Sequence, residues 1–170
     1  MPLPVAHGLL GASIVAAVLP APVSARYFKP LLAGAFLANL ADFDFLLVFV
    51  LHSKHWHRGF THSIVFALLV GLLFVLYLGK RRLREAAAFG LAFASHCFLD
   101  FVTTKEGGGL ELLFPFSGER FVGGWFGLSE MPSKLPVFGT LQALAIEFIV
   151  FSSLLIIILF LRKSISKKDD

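Results

Sequence analysis

A single cysteine in 170 residues excludes an internal disulfide framework and any cysteine-built zinc module. Charge is scarce as well: Asp, Glu, Lys and Arg make up 15% of the chain, against about 25% in an ordinary soluble domain. No internal repeat and no long low-complexity linker divides the chain, so residues 1–170 are expected to form one domain. No Lys or Arg lies between Met1 and His7, so the basic start of a secretory signal is missing. Although Val23-Ser24-Ala25 resembles a small-residue cleavage site, the first segment is expected to be retained. What fills the space is apolar: 57% of residues are hydrophobic, 20 of them Phe, and mean hydropathy is +0.82. That composition excludes a disordered chain, and a chain this short has too little interior to bury so many large side chains. Lipid is the solvent the sequence implies. The net charge of +4 comes from clustered Lys and Arg. In a membrane chain such clusters report topology, so no nucleic-acid partner is expected.

A spanning helix needs about 20 mostly apolar residues, since the hydrocarbon layer is about 30 Å thick and each residue rises about 1.5 Å. Five segments qualify: Leu3–Leu19, Pro30–Leu51, Thr61–Gly79, Glu85–Val102 and Leu141–Leu161. Pro20, Pro22 and Pro30 bracket the first connection as helix breakers. The expected fold is therefore all-α, a polytopic membrane helical bundle of about five transmembrane helices. With the N-terminus outside and the C-terminus inside, ten of the 15 Lys and Arg fall on the inner side and five on the outer, the bias that cytoplasmic loops favour. Lys105–Pro136 is Gly-rich and carries Trp125, Glu106, Glu111, Glu119 and Glu130, so it cannot span. It is expected as an outer-face interfacial loop with aromatic anchors, a lid admitting an amphiphilic substrate from the bilayer. The basic start of the tail Arg162–Asp170 is a cytoplasmic anchor.

The unusual polar residues fall together on this topology. His7, Asp42, Asp44, His57, His62, His96 and Asp100 all come to the outer side at similar depth, although the charge count made no use of them. A central Asp in hydrocarbon costs about 2.5–3.5 kcal/mol on insertion scales. One shared site, with a cation neutralising the three carboxylates, removes most of that cost. His96 and Asp100, four apart, stack on one helix face and can grip one ion. Gly59 permits a sharp turn, and Thr61 or Ser63 can cap the helix that follows, fixing His62 near its start. Asp42 and Asp44 stand roughly 200° apart on a helix. Either the second span is broken there, or one Asp orients a ligand from behind. Histidine and carboxylate without cysteine suit Zn²⁺, with Mn²⁺ or Fe as alternatives. More than four candidate ligands allow a two-metal site suited to phosphoesters, with Asp42, Asp44 and Arg58 as catalytic candidates and Arg58 holding a phosphate bidentately. His52 and His55 read as solvated, and Cys97 as core. Glu147, mid-way along the fifth segment, reads first as a helix-packing contact and second as a base or hydrogen-bond partner of the site.

The series Ala6-His7-Gly8, Asp42-x-Asp44, His57-Arg58-Gly59-Phe60-Thr61-His62-Ser63 and Ser95-His96-x-x-x-Asp100-x-x-Thr103, followed by Leu112-Leu113-Phe114-Pro115, resembles the YdjM-type membrane-bound metal-dependent hydrolases. The resemblance runs from about Ala6 to Pro115, and the HRGFTHS string is its most specific part. It implies a bacterial inner-membrane, multi-pass protein with a divalent metal site, similar in ligand pattern to zinc-dependent phospholipases. Ala41 and Phe45 stand where family members often carry Pro and His, which lowers the implied ligand count. The LexA binding ascribed to the family is not carried over, because the site faces outward and nothing in this sequence reads as a LexA-binding surface.

The leading expectation is a hydrolase whose metal-activated water attacks a phosphoester, a lipid among the candidates, at the outer face. The alternative is a metal-binding or metal-transport protein without hydrolytic activity. Transport needs polar groups continuing inward, and the inner halves of the third to fifth segments carry only Ser152 and Ser153. Site-directed labelling in intact cells is expected to find the N-terminus and the Lys80–Arg84 hairpin on opposite sides of the membrane; a shared compartment contradicts the topology.

Overall fold

In a computed structural model of the chain, residues 2–19, 27–53, 56–104, 108–124 and 137–166 are described. The first helix, α1 (Pro4–Val18), starts on Pro4, whose fixed φ suits a first helical turn. No side chain of its own caps it. The carboxylate of Glu147 instead accepts from the Leu3 amide at 2.9 Å. At the other end, the last carbonyls of α1 meet side chains from three other segments. Tyr27 donates to Ala16 O at 3.1 Å, Arg162 to Ala17 O at 2.5 Å and to Leu19 O, and Arg84 to Val18 O at 2.5 Å. An acid at the amino end and guanidinium groups at the carboxyl end match the helix dipole and satisfy groups that would otherwise be orphaned. Arg84 and Arg162 are thus structural caps as well as topology markers.

The predicted second span is broken. It consists of α2 (Phe28–Leu37), a 3-10 turn over Leu40–Asp44 and α3 (Phe45–Leu51), with a bend of 44°. α3 ends at His52, which adopts a left-handed conformation at φ 50°. A second 3-10 turn, Phe60–His62, leads into α4 (Ile64–Leu78), whose start is capped by Ser63 Oγ accepting from Phe66 N at 3.1 Å. Next come a 3-10 turn over Lys80–Arg82, then α5 (Leu83–Thr103) and finally α6 (Val137–Ser166). Among the described residues the only extended pairing is one isolated bridge, Leu110 with Phe121.

α5 is the central element. It packs against α1, α2 and α4, while α1 also packs against α2 and α6. Ala88 and Ala92 join Val15, Leu19 and Tyr27 in one buried cluster, and Leu99 and Val102 join Ala6 and Phe151 in another. His96 and Asp100 continue the same stripe of α5 at four-residue steps, so the face that packs α1 also presents the polar centre. α4 buries none of its residues, and Leu68, Leu72 and Leu76 lie open along it. Such surfaces belong in hydrocarbon. Small residues allow the close packing that drives helix association there. A Cβ on Gly11 would stand 2.4 Å from Gly34 O, and one on Gly90 would stand 2.9 Å from Gly71 Cα.

All five expected helical segments are present. Among the described residues two helices, Lys80–Thr103 and Gly139–Ile165, are long and apolar enough to cross a membrane, or three if the bent pair counts as one span. α1 and α4 have 15 residues each, about 22 Å of helix, short of the full hydrocarbon thickness. α6 outruns the expected Leu141–Leu161 at both ends, since Arg162 is tied down to α1 and the helix continues past it.

Of the expected interfacial loop 105–136, residues 108–124 are described and the rest, including Trp125, lies outside the described residues, as does His55. Residues 108–124 form a strap fastened by backbone hydrogen bonds. Glu111 N donates to Arg58 O at 3.1 Å, Ile64 N to Leu112 O at 3.0 Å and Gly123 N to Phe101 O at 3.0 Å.

Gly34→Val forces its side chain against Val15 and Gly11 and is expected to cost about 1–3 kcal/mol by overpacking. Thermal unfolding in detergent reads this as a midpoint several degrees below wild type. Gly118→Val, with nothing within 4 Å, is expected to leave the midpoint unchanged.

Candidate metal centre

The break in the second span lets Asp42 and Asp44 do different things on the same side of the bundle. The 3-10 turn over Leu40–Asp44 leaves Asp44 fully buried, whereas the Asp42 side chain remains 16% exposed. Asp44 is saturated by donors. Its Oδ2 accepts from Arg58 N at 2.8 Å and Thr61 Oγ1 at 3.0 Å, and its Oδ1 meets His57 Nδ1 at 3.0 Å. Arg58 adopts the left-handed region at φ 58°. A non-glycine residue there is strained by about 1–3 kcal/mol, which the amide-to-Asp44 bond helps to hold.

The tautomers of the two central imidazoles follow from their partners. His96 Nδ1 lies 2.6 Å from Ala38 O, which can only accept, so Nδ1 carries the proton. Thr61 gives its hydroxyl proton to Asp44, so its oxygen accepts from His62 Nδ1 at 3.0 Å. Each Nε2 is left with a lone pair, and the two Nε2 atoms face each other at 3.0 Å. Asp42 Oδ1 stands 3.6 Å from His62 Nε2 and 3.3 Å from His96 Nε2, and Asp100 Oδ2 stands 3.7 and 3.8 Å from the same atoms.

These four groups offer ligand atoms that all lie within 4.8 Å of one another. Ligands held about 2.0–2.1 Å from a tetrahedral ion stand roughly 3.3–3.4 Å apart, so the observed separations suit such an ion closely. Asp42 Oδ1 and both Asp100 oxygens are buried without a hydrogen-bond partner, as is Arg58 Nε. Asp42, Asp44 and Asp100 bring three carboxylates into this buried space with the Arg58 guanidinium 3.7 Å from Asp100, while nearby Glu111 and Arg120 pair with each other at 3.0 Å. A divalent cation offsets carboxylate charge and occupies the orphaned carboxylate lone pairs. The residues present therefore fit a divalent metal.

The remaining expected site residues gather around this core. His7 stacks on His96 with ring centroids 3.9 Å apart and sets its Nε2 3.3 Å from Asp100 Oδ1. His57 forms a second possible ligand group with Asp42 and Asp44, and its side chain is 20% exposed. The Arg58 Nε lies 3.7 Å from Asp100 Oδ2. Thr61 orients both Asp44 and His62, whereas Ser63 caps α4 instead of touching the cluster. Glu147 makes a contact between helices, the first of its two expected roles: it accepts from the Leu3 amide, one helical turn before His7, because burial there needs a donor and the start of α1 supplies one. It supports the helix that carries His7. Ala38 and Arg120 escaped the sequence reading. Ala38 acts only through its carbonyl, which no side-chain pattern reveals. Arg120 donates to His57 O at 3.3 Å from a strap that only the tertiary fold brings near.

The fold and this centre define an integral-membrane helical protein with a buried histidine–aspartate site able to hold a metal. The YdjM inner membrane protein family matches residues 1–168, and the chain belongs to that family. It is similar to the inner membrane protein YbcI of Escherichia coli (strain K12), with 38% identity over 118 residues, 65% of this chain and 67% of that protein. No solved structure matches. The chain is an inner membrane protein.

His62→Ala and His96→Ala are expected to abolish metal retention in detergent-purified protein, read by elemental analysis. Asp44→Asn, which loosens the orientation of His62, is expected to weaken affinity about 10–100-fold.

Proposed function

We propose that the protein is a metal-dependent hydrolase of phosphoesters, working at the outer face of the inner membrane in a five-span, N-out arrangement. The observation that carries this reading is the convergence of His62, His96, Asp42 and Asp100 on one ligand-sized space, with Asp42 Oδ1 and both Asp100 oxygens lacking a hydrogen-bond partner. The basic caps Arg84 and Arg162 lie at the opposite end of α1 from His7, as a cytoplasmic end requires, which supports the orientation.

A divalent ion in this site, zinc being the best match to two imidazoles and carboxylates, supplies Lewis acidity toward a phosphoryl oxygen and lowers the pKa of water. The chain's own residues do the rest. Ala38 O and Thr61 fix the tautomers of His96 and His62, so both rings direct a lone pair inward. Asp44 holds Nδ1 of His57, leaving the other ring nitrogen to accept a proton from the attacking water. Arg58, whose Nε lies 3.7 Å from Asp100 without a hydrogen-bond partner, binds a phosphate oxygen. Substrate approaches over Asp42 and His57, the two exposed members of a cluster whose other imidazoles and carboxylates are fully buried.

The metal-loaded protein, reconstituted in nanodiscs, is expected to cleave a chromogenic phosphodiester. Asp42→Asn and His96→Ala are expected to abolish turnover, and Arg58→Gln to lower kcat/KM by roughly 10²-fold. Full metal occupancy with no turnover on phosphodiester, phosphomonoester or ester probes favours the metal-binding reading.

A further inference from the structure

α5 presents a second face, rotated away from His96 and Asp100. Along it Ala87, Leu91, Ala94, Phe98 and Phe101 line a groove of about 820 Å³ shared with α4, a size typical of sites for small amphiphiles. Every side chain lining it is hydrocarbon or, at Cys97, a thiol. The groove exists because Gly71 and Gly90 bring the two helices together, while Ala67, Ala87 and Ala94 leave its walls open beside them. From Gly90 to Phe101 is about 16 Å along the helix, close to half the roughly 30 Å hydrocarbon thickness.

The upper end of the groove abuts the metal cluster. Cys97 follows His96, and its Sγ lies 3.8 Å from the carbonyl of Thr61, whose hydroxyl holds Asp44. Ile64 and Leu112, which close that end, are joined by a backbone hydrogen bond of 3.0 Å. The groove therefore runs along α4 and α5 from Val75 and Leu83 to Ile64 and Leu112, and its half above Gly90 ends at the segment that carries His57, Arg58 and His62. Its walls are open to lipid, with Leu68 69% and Phe98 62% exposed.

We propose that the half of this groove between Gly90 and Phe101 seats one acyl chain of a membrane phospholipid, holding its phosphodiester headgroup at the level of residues 57–64. An acyl chain is the occupant because α4 and the outer face of α5 are solvated by lipid, the length matches one leaflet, and the groove ends against a centre suited to phosphate. The assignment of the headgroup as substrate rests on the hydrolase reading; the seating of the chain does not.

The test uses full-length, metal-loaded protein in nanodiscs containing phosphatidylglycerol with a photoreactive diazirine on its acyl chain. Peptide mapping of wild type is expected to find label on the groove residues of α4 and α5 at roughly tenfold the per-residue level on the lipid-facing side of α6 around Ile149 and Ile156. Ala94→Trp and Ala67→Trp fill the groove and are expected to bring that label down to the α6 level with metal content unchanged. In turnover, Ala94→Trp is expected to raise KM for long-chain phospholipid several-fold and leave a short soluble phosphodiester unaffected. Equal labelling of α6 and the groove in wild type overturns the proposal, even if neither variant folds. So does label that persists in folded variants, or cross-linking between two copies through this face. Selective labelling without any turnover keeps the chain site and removes only the hydrolase reading.

Discussion

Three aspartates and two facing imidazole lone pairs, enclosed where water is scarce, are the constraint around which the bundle is arranged. His62 Nε2 and His96 Nε2 face each other at 3.0 Å with Asp42 and Asp100 beside them. Without positive charge between them, such a group repels itself in a low dielectric. Much of the surrounding structure holds the rings and acids in this opposition: the Ala38 carbonyl behind His96, Thr61 and Asp44 behind His62, and His7 stacked over His96. The left-handed backbone at Arg58 and the break between α2 and α3 are local distortions that the same arrangement requires.

The helices deliver these groups by a few contacts at their ends. α1 is fastened by Glu147 at its amino end and by Tyr27, Arg84 and Arg162 at its carboxyl end, so His7 cannot slide along the bundle. Between those ends, helix association rests on close backbone approach at Gly11 and Gly34, because lipid gives no hydrophobic drive for one helix to leave it for another. The strap over residues 108–124 bonds to the backbone of Arg58, Ile64 and Phe101, and so fixes the turn that carries His57 and His62. Fold and site are coupled through backbone carbonyls and amides as much as through side chains.

Much of this was legible in the sequence, for physical reasons specific to each part. His96 and Asp100 are four residues apart on an uninterrupted helix, so their shared face follows from helix geometry. Length and apolarity located all five helical segments. The two readings of Asp42 and Asp44 could not be separated, because whether a helix yields to a 3-10 turn depends on what Asp44 finds to bond, and its donors come from residues 57–61. Glu147 was legible as a contact between helices, but not its Leu3 partner, which lies 144 residues away. Arg84 and Arg162 were read for their charge alone. Their role as caps depends on where α1 ends in space. The strap's attachment was hidden too, because it is made mostly by backbone groups, which carry no residue signature.

The most direct measurement is X-ray absorption at the metal edge on protein purified with its native metal. The account predicts one first-row divalent ion per chain with a shell of two imidazole nitrogens and carboxylate oxygens at about 2.0–2.2 Å, and no sulfur. A protein that purifies and binds no divalent ion at any loading, or an ion whose shell contains no imidazole, contradicts it.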